Sequence, residues 1–312
     1  MSTGPHGSIA VTTPREEFLA ELFDTLWDRY RQRVSYVQTY EQVIQKAGAT
    51  FFNDHIAFRT FACQQPHTGI ASVSRIFEAL GYRAAGNYYF EDKQLSAIHF
   101  QHAHPQFPKI FISELKVWEL PAPAAEIVTR AVASHRAAVS AEVLAALHRL
   151  DQADSGRGEL MRQAVSIFHD LPWQVPPRLD VAALNATSQY AAWVLVHGYN
   201  VNHFTSLINS HGVPALDDIE TTIAALSAAG VPMKKEIEGE RGSKLRQSAT
   251  EAVNIEVDVL DSGAPQKMPW SYAYFELAQR DECVDPQTGK RVRFEGFLGP
   301  QATNLFEMTR VK

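Results

Sequence analysis

Apolar residues Phe18, Leu19, Leu22, Phe23, Leu26, Trp27 and Tyr30 recur at helical spacing behind Thr13-Pro14-Arg15-Glu16. That tetrapeptide reads as a helix start, with Thr as N-cap, Pro at the first helical position and Glu three residues after the cap. Residues 1–12 before it read as a loose tail. From residue 51 the texture changes. FFNDHIAFRTFA reads as a strand, residues 69–82 as a helix ending near Gly81, and RAAGNYYFED, QLSAIHFQHAH and KIFISELKV as three further strands. Residues 119–196 are Ala-rich and helical, interrupted where Pro172, Pro176 and Pro177 cannot sit inside a helix. The earlier pattern then returns. VNHFTSLI (201–208) is strand-like, residues 216–230 form a helix closed by Gly230, and VPMKKEIEGE, KLRQSATEAVNIEVDVL and SYAYFELAQ are again three strand-like runs.

The order strand-helix-strand-strand-strand therefore occurs twice, a repeat of elements rather than of residues. The expected class is α+β. The expected divisions are a tail (1–12), an N-terminal helix with the first βαβββ unit (13–118), a helical insertion (119–196), and a second βαβββ unit with a C-terminal segment (197–312).

Composition narrows the classes without naming a function. With 45% hydrophobic and 21% charged residues, the 312-residue chain is neither disordered nor fibrous. A net charge of −6 argues against a general nucleic-acid binder and against an anionic membrane surface as partner. Cys63 and Cys283 are the only cysteines, which excludes a disulfide framework and a cysteine-rich zinc site and fits a reducing compartment. The N-terminus lacks the basic and apolar regions of a secretory signal, and no run of about 18 apolar residues is present. A cytoplasmic protein is expected, with no membrane partner.

The repeat sets chemistry in register. Aligned on their first strands, His55 in NDHIAF stands opposite His203 in VNHFTS; aligned on their last, Glu114 in FISEL matches Glu276 in YFEL. Two histidines and a carboxylate suit Fe(II), Mn(II) or Zn(II), with positions left open for substrate. In a chain with 12 histidines such a triple is not specific, and hydrogen-bonded strand histidines are the competing reading. Residues 55, 57 and 59 share a strand face, so Arg59 points the same way as His55. Tyr272 and Tyr274 fall on the face of Glu276 by the same rule.

NDHIAFRTF, the helical insert, VNHFT, KLRQSAT and SYAYFELAQR together resemble the 2-oxoadipate dioxygenase/decarboxylase family, within the vicinal-oxygen-chelate (glyoxalase-like) superfamily. The likeness spans roughly residues 14–312. It implies a curved sheet of two βαβββ units around a metal site. It implies a non-haem Fe(II) enzyme that turns 2-oxoadipate and O2 into 2-hydroxyglutarate and CO2, with Zn, Mn or Ni as other metals the site could take. It implies His55, His203 and Glu276 as metal ligands, Arg59 as the cation for a substrate carboxylate, and Gln247 as a further substrate contact. Arg280 and Gln279 would serve to orient Glu276.

Two other readings stay open. Four ligands, with Glu114 as the fourth, would favour an oxygen-independent glyoxalase-like lyase or isomerase. A small-molecule receptor would need no triad at all. His99, His102 and His104 in HFQHAH offer a separate zinc site, against the plainer reading of a strand end and polar loop.

Overall fold

The computed structural model describes residues 4–64, 68–135, 139–152, 156–286, 288–299 and 309. Helix α1 (Pro14–Arg33) starts as expected: the Thr13 hydroxyl accepts from Glu16 N at 3.2 Å. The Glu16 carboxylate reaches back to Thr12 N at 2.7 Å. Part of the segment expected to be a loose tail is packed. Pro5–Ser8 forms a 3-10 turn, and buried His6 bonds Asp24 of α1 at 2.8 Å through Nδ1. Helix α2 (Tyr36–Ala47) follows.

The first unit reads as predicted: β1 (Asn53–Ala62), α3 (Ile70–Ala79), β2 (Tyr82–Phe90), β3 (Leu95–His102) and β4 (Lys109–Lys116). Helices α4 (Ala122–Val132), α5 (Ala141–His148), α6 (Arg157–His169), α7 (Arg178–Thr187) and α8 (Gln189–His197) come next. The run 180–198, expected as one helix, breaks at Ser188, which takes an extended conformation and caps α8 by accepting from Ala191 N.

The second unit departs from expectation in two places. It contains β5 (Val201–Leu207), α9 (Ile219–Ala228), β6 (Leu245–Ala249) and, after a hairpin of β7 (Asn254–Asp261) and β8 (Ala264–Ser271), β9 (Glu276–Arg280). Residues 231–240, expected as a strand, form no continuous ladder with β6 and the residue after it; the pairing is limited to isolated bridges, Met233 to Thr250 and Glu238 to Gln247. Pro232 lacks an N–H there. At Gly239 a Cβ would stand 2.2 Å from the Leu245 carbonyl oxygen, so only glycine fits. The runs 244–260 and 271–279 each divide in two, because β7 and β8 pair with each other outside the main sheet.

The main sheet has the order β2-β3-β4-β1-β5-β9-β6. The two units meet where β1 and β5 pair antiparallel, and β4 and β9 run parallel to their own first strands. One face packs on α1, whose Phe18, Leu22, Phe23, Leu26 and Trp27 are fully buried. Among the described residues no helix is long and apolar enough to cross a membrane.

Helix α8 is buried from Tyr190 to His197 and carries Tyr190 and Trp193 beneath β1. Its last residue, His197, donates Nε2–H to Ser271 O at 2.9 Å, and burial pushes its pKa down to about 3. The unfolded chain takes up this proton near pH 6.5, the native state only near 3, so stability falls as pH drops through that window. The slope from this one residue is at most about 1.4 kcal/mol per pH unit. His197→Gln keeps a donor for Ser271 O and should flatten the acid limb of urea-midpoint against pH by close to one proton; an unchanged slope would show that His197 titrates normally.

Candidate metal centre

Two β-bulges shape the centre. Along β1 and β5 the pairing steps from Asn53–Ser206 to His55–Thr205, leaving Asp54 as an extra residue. It steps again from Ala57–His203 to Phe58–Val201, leaving Asn202 extra on the opposite strand. A bulged residue is re-aimed out of the alternation of its strand. Asp54 Oδ2 thereby accepts from His55 Nδ1 at 2.8 Å, and Asn202 Oδ1 accepts from His203 Nδ1 at 3.0 Å. Both rings are fixed with the proton on Nδ1 and the lone pair on Nε2, the form in which a histidine binds a metal.

The lone pairs converge. His55 Nε2 and His203 Nε2 are 3.3 Å apart, and Glu276 oxygens lie 3.4 and 3.3 Å from them. One ligand atom from each of the three residues falls within 4.8 Å of the others. Thr205 is the Cα partner of both His55 and Glu276, which is how the sheet sets the three together. The Thr205 hydroxyl donates to His55 Nε2 at 3.0 Å.

All three groups are buried, and burial works against each charge. It pushes His55 down and His203 well below 6.5, so both rings are neutral. Burial, with the Glu238 charge next, pushes the Glu276 carboxyl well above 4.5. Glu276 Oε2 has no hydrogen-bond partner. Three buried acceptors face one another with nothing positive between them. A divalent cation satisfies all three at once, and the thiolate-free N/O donor set suits Fe(II), Mn(II) or Zn(II). The residues therefore fit the metal.

The triad lies in a pocket walled by Phe58, Phe90, Phe111, Tyr274 and Phe297, and Arg59 and Gln247 line the same pocket. Arg59 is 2% exposed, so it is no surface ion-pair partner. Its guanidinium lies 5.0 and 5.2 Å from the rings of Tyr190 and Trp193. Its Nη1 donates to Thr309 Oγ1 at 2.8 Å, and that hydroxyl donates to Gln189 Oε1 at 3.1 Å. Gln247 Nε2 donates to Glu276 Oε1 at 2.6 Å, which holds the carboxylate, while its amide oxygen has no hydrogen-bond partner. Tyr274 stacks on His203 with centroids 4.8 Å apart. Tyr272, expected on the same face, lies outside the pocket and packs on Trp193, because the chain joins β9 only at Glu276.

Arg280 does not orient Glu276, as expected, but Asp54. Its Nε and Nη2 grip the two Asp54 oxygens at 2.6 and 2.8 Å, and Nη1 donates to the carbonyls of Phe294 at 3.1 Å and Gly296 at 2.6 Å. The same guanidinium thus holds the carboxylate behind His55 and the loop that presents Phe297, whose ring stands edge-on to His55 at 4.8 Å. The signal for Asp54 and Asn202 was in the sequence: a polar residue immediately precedes each histidine in otherwise apolar strands.

Glu114 lies outside the triad. With His55 matched to His203, Thr205 corresponds to Ala57, whose β4 partner is Phe111; the counterpart of Glu276 is therefore Phe111. Three residues further, Glu114 points to the other face and accepts from Ile70 N at 2.7 Å, at the start of α3. Gln279, three residues beyond Glu276, accepts from Ile219 N at 3.0 Å at the start of α9. Glu114 and Gln279 are the true pair, and both cap the helix of their unit. His99, His102 and His104 do not converge: His99 Nδ1 bonds Tyr88 at 3.0 Å, and His102 Nδ1 and His104 Nδ1 accept backbone N–H groups.

Comparison with known proteins bears on this geometry. The family model described as 2-oxoadipate dioxygenase/decarboxylase matches residues 20–298. The chain is 28% identical over 280 residues to a chloroplastic/amyloplastic 2-oxoadipate dioxygenase/decarboxylase of Oryza sativa subsp. japonica, covering 82% of this chain and 68% of that one. The structure is similar to that of a hydroxyglutarate synthase from Oryza sativa in complex with 2-oxoadipate, with TM-score 0.76 and 25% identity over 96% of this chain and 95% of that one. It shares its fold with a glyoxalase-superfamily protein from Ralstonia eutropha JMP134, with TM-score 0.78 and 23% identity over 92% and 88% of the two chains.

Proposed function

This chain belongs to the 2-oxoadipate dioxygenase/decarboxylase family, and we propose that it uses Fe(II) to convert 2-oxoadipate and O2 into 2-hydroxyglutarate and CO2. It is an enzyme of this family's kind. The observation that carries the proposal is the convergence of His55, His203 and Glu276 in the pocket that also receives Arg59.

His55, His203 and Glu276 would hold a divalent iron, which would supply the redox chemistry that joins a 2-oxo acid to O2. The chain's own residues do the rest. Asp54 and Asn202 keep both imidazoles in the ligating tautomer, and Gln247 keeps one Glu276 oxygen in place while its amide oxygen lines the pocket. Arg59 takes the carboxylate remote from the keto group through two parallel hydrogen bonds, with the Thr309 hydroxyl giving way to it. Tyr190 and Trp193 hold the guanidinium in plane against the loss of that contact. Phe58, Phe90, Phe111 and Phe297 exclude water, which keeps the oxidising equivalents on the substrate. Atoms and electrons balance without a further co-substrate. The oxo acid loses the carboxyl carbon next to its keto group as CO2; one oxygen atom of O2 enters the new carboxylate and the other becomes the 2-hydroxyl. Oxidative decarboxylation supplies half of the electrons that reduce O2, and the hydroxylated C–H bond supplies the other half. The helix-capping position of Glu114 leaves a three-ligand set, which supports oxygen chemistry over the four-ligand lyase.

The test is to load metal-free protein with Fe(II) under anaerobic conditions, add 2-oxoadipate, admit O2 and follow O2 uptake with product analysis. One O2 consumed per 2-hydroxyglutarate and CO2 formed is expected. Arg59→Gln should lose about 2–5 kcal/mol in kcat/KM by stranding the substrate carboxylate. No uptake with 2-oxoadipate or any other 2-oxo acid would reject the reaction; uptake with another acid alone would reject the substrate.

A further inference from the structure

Away from the metal centre, α1, the end of α8 and strand β7 border a half-open cavity of about 150 Å³. Arg29 and Arg33 line it from α1. Four residues apart, they share one face of the helix. Each guanidinium is fixed by a neutral acceptor: Arg29 Nη2 donates to His169 O at 3.0 Å, and Arg33 Nη1 to Asn200 Oδ1 at 3.1 Å. Among the described residues neither has a carboxylate within ion-pair distance. Burial, and then the Arg33 charge, lowers the Arg29 pKa, so the two like charges stand together at a cost.

The neighbouring histidines do not add to the positive charge. His169 is pushed down to about 4, by burial first and the two arginines next, and His197 is neutral as described above. The carboxylates nearby are exposed. Glu256 and Asp258 line the cavity from β7, Asp258 held by Lys267 at 2.6 Å, and Asp170, past the end of α6, partly offsets the charge on Arg29. Leu171, Val175 and Val196 provide an apolar wall. The result is a small, half-open cavity with a doubly cationic floor and a greasy side, whose two carboxylates, Glu256 and Asp258, are solvent-exposed and not paired with the arginines.

We propose that this cavity is a second binding site, for a small oxyanion, held by the forked donors of Arg29 and Arg33. The space is well above what one water needs and leaves room for a phosphate or a short-chain carboxylate. Guanidinium pairs recognise both through parallel N–H···O bonds. The site is separate from the pocket of Arg59 and does not rest on the proposed reaction.

The probes are inorganic phosphate and glutarate, titrated calorimetrically into the full-length protein at ionic strength balanced with NaCl. Arg59→Gln serves as the background, so that the metal-site pocket cannot answer for a carboxylate. Saturable binding of either anion at millimolar or lower Kd is expected, weakened at least tenfold by Arg29→Gln or Arg33→Gln. Arg33→Lys, which keeps the charge but not the fork, should weaken it less, and it carries the test should Arg33→Gln not fold. Saturation by phosphate alone assigns an inorganic ion, and tighter glutarate assigns an organic acid. No saturable binding of either anion, or binding unchanged in the folded arginine variants, overturns the proposal.

Discussion

Glu276→Gln is expected to raise the melting temperature of the metal-free protein while abolishing turnover. In the native site Glu276 Oε2 faces the lone pair of His203 Nε2 at 3.3 Å, and Glu276 is fully buried. Its carboxyl is pushed well above 4.5, so the native state binds this proton more tightly than the unfolded chain does. Stability of the metal-free protein therefore falls as pH rises above about 4.5. Glutamine removes the charge. Its oxygen still accepts from Gln247, and its amide N–H can donate to the imidazole nitrogens that the carboxylate opposes. Relief of one unsatisfied buried acceptor is worth about 1–3 kcal/mol. The gain over wild type, measured in chelator, should be smallest below about pH 4.5, where that loss begins, and larger at pH 8. Metal reverses the order: it stabilises the wild type by mass action and leaves the variant, with a weak amide ligand, nearly unmoved. A Glu276→Gln protein that melts below wild type in chelator at pH 8 would mean that the carboxylate is already satisfied without metal.

How far the sequence carried the site depends on what strand periodicity encodes. His55, Arg59 and His203 were legible because alternate residues share a face and the repeat set one histidine against the other. Glu276 was found through the wrong counterpart. Matching glutamate to glutamate slipped the last strands by three residues, and an odd slip changes the face. Register in the sheet, not residue identity, pairs Glu276 with Phe111 and Glu114 with Gln279. Asp54 and Asn202 were visible as polar residues but not as orienting groups, since neighbours on a regular strand point apart. Only the two bulges bring them onto their histidines, and a bulge leaves no mark in hydrophobic alternation. The edge 231–240 failed as a strand because Pro232 and Gly239 interrupt it. Thr309 was out of reach for a different reason: its contact with Arg59 spans 250 residues and obeys no local rule.

Arg280→Met is expected to destabilise the protein by about 3–5 kcal/mol and to weaken metal binding by about 10–100-fold. Arg280 is 2% exposed and uses four N–H donors, two on Asp54 and two on the carbonyls of Phe294 and Gly296. Burial alone would raise the Asp54 pKa; the charges of Arg280 and then Lys109 overcome it and hold the carboxyl well below 3.8. That depressed value contributes stability above the unfolded pKa and loses it as pH falls through the native one. The cost of the variant is therefore full at neutral pH and shrinks below about pH 4. Once Arg280 is gone, Asp54 is an uncompensated buried charge that takes up a proton. It then accepts from His55 Nδ1 only as a neutral carbonyl and can turn its O–H toward the ring instead, so the imidazole loses the charged group that keeps its lone pair on Nε2. The loop bearing Phe297 loses its anchor in the same step. Asp54→Asn combined with Arg280→Met separates these effects, because asparagine leaves no buried charge yet can still accept from Nδ1. The double variant should recover most of the stability in urea titrations while binding Co(II) more weakly than wild type, since the neutral acceptor lowers the basicity of the ligand. If Arg280→Met alone keeps the wild-type urea midpoint and Co(II) affinity, the link from Arg280 through Asp54 to His55 has no energetic content. If the double variant is no more stable than Arg280→Met, the cost comes from the freed carbonyls of the 294–296 loop rather than from the stranded carboxylate.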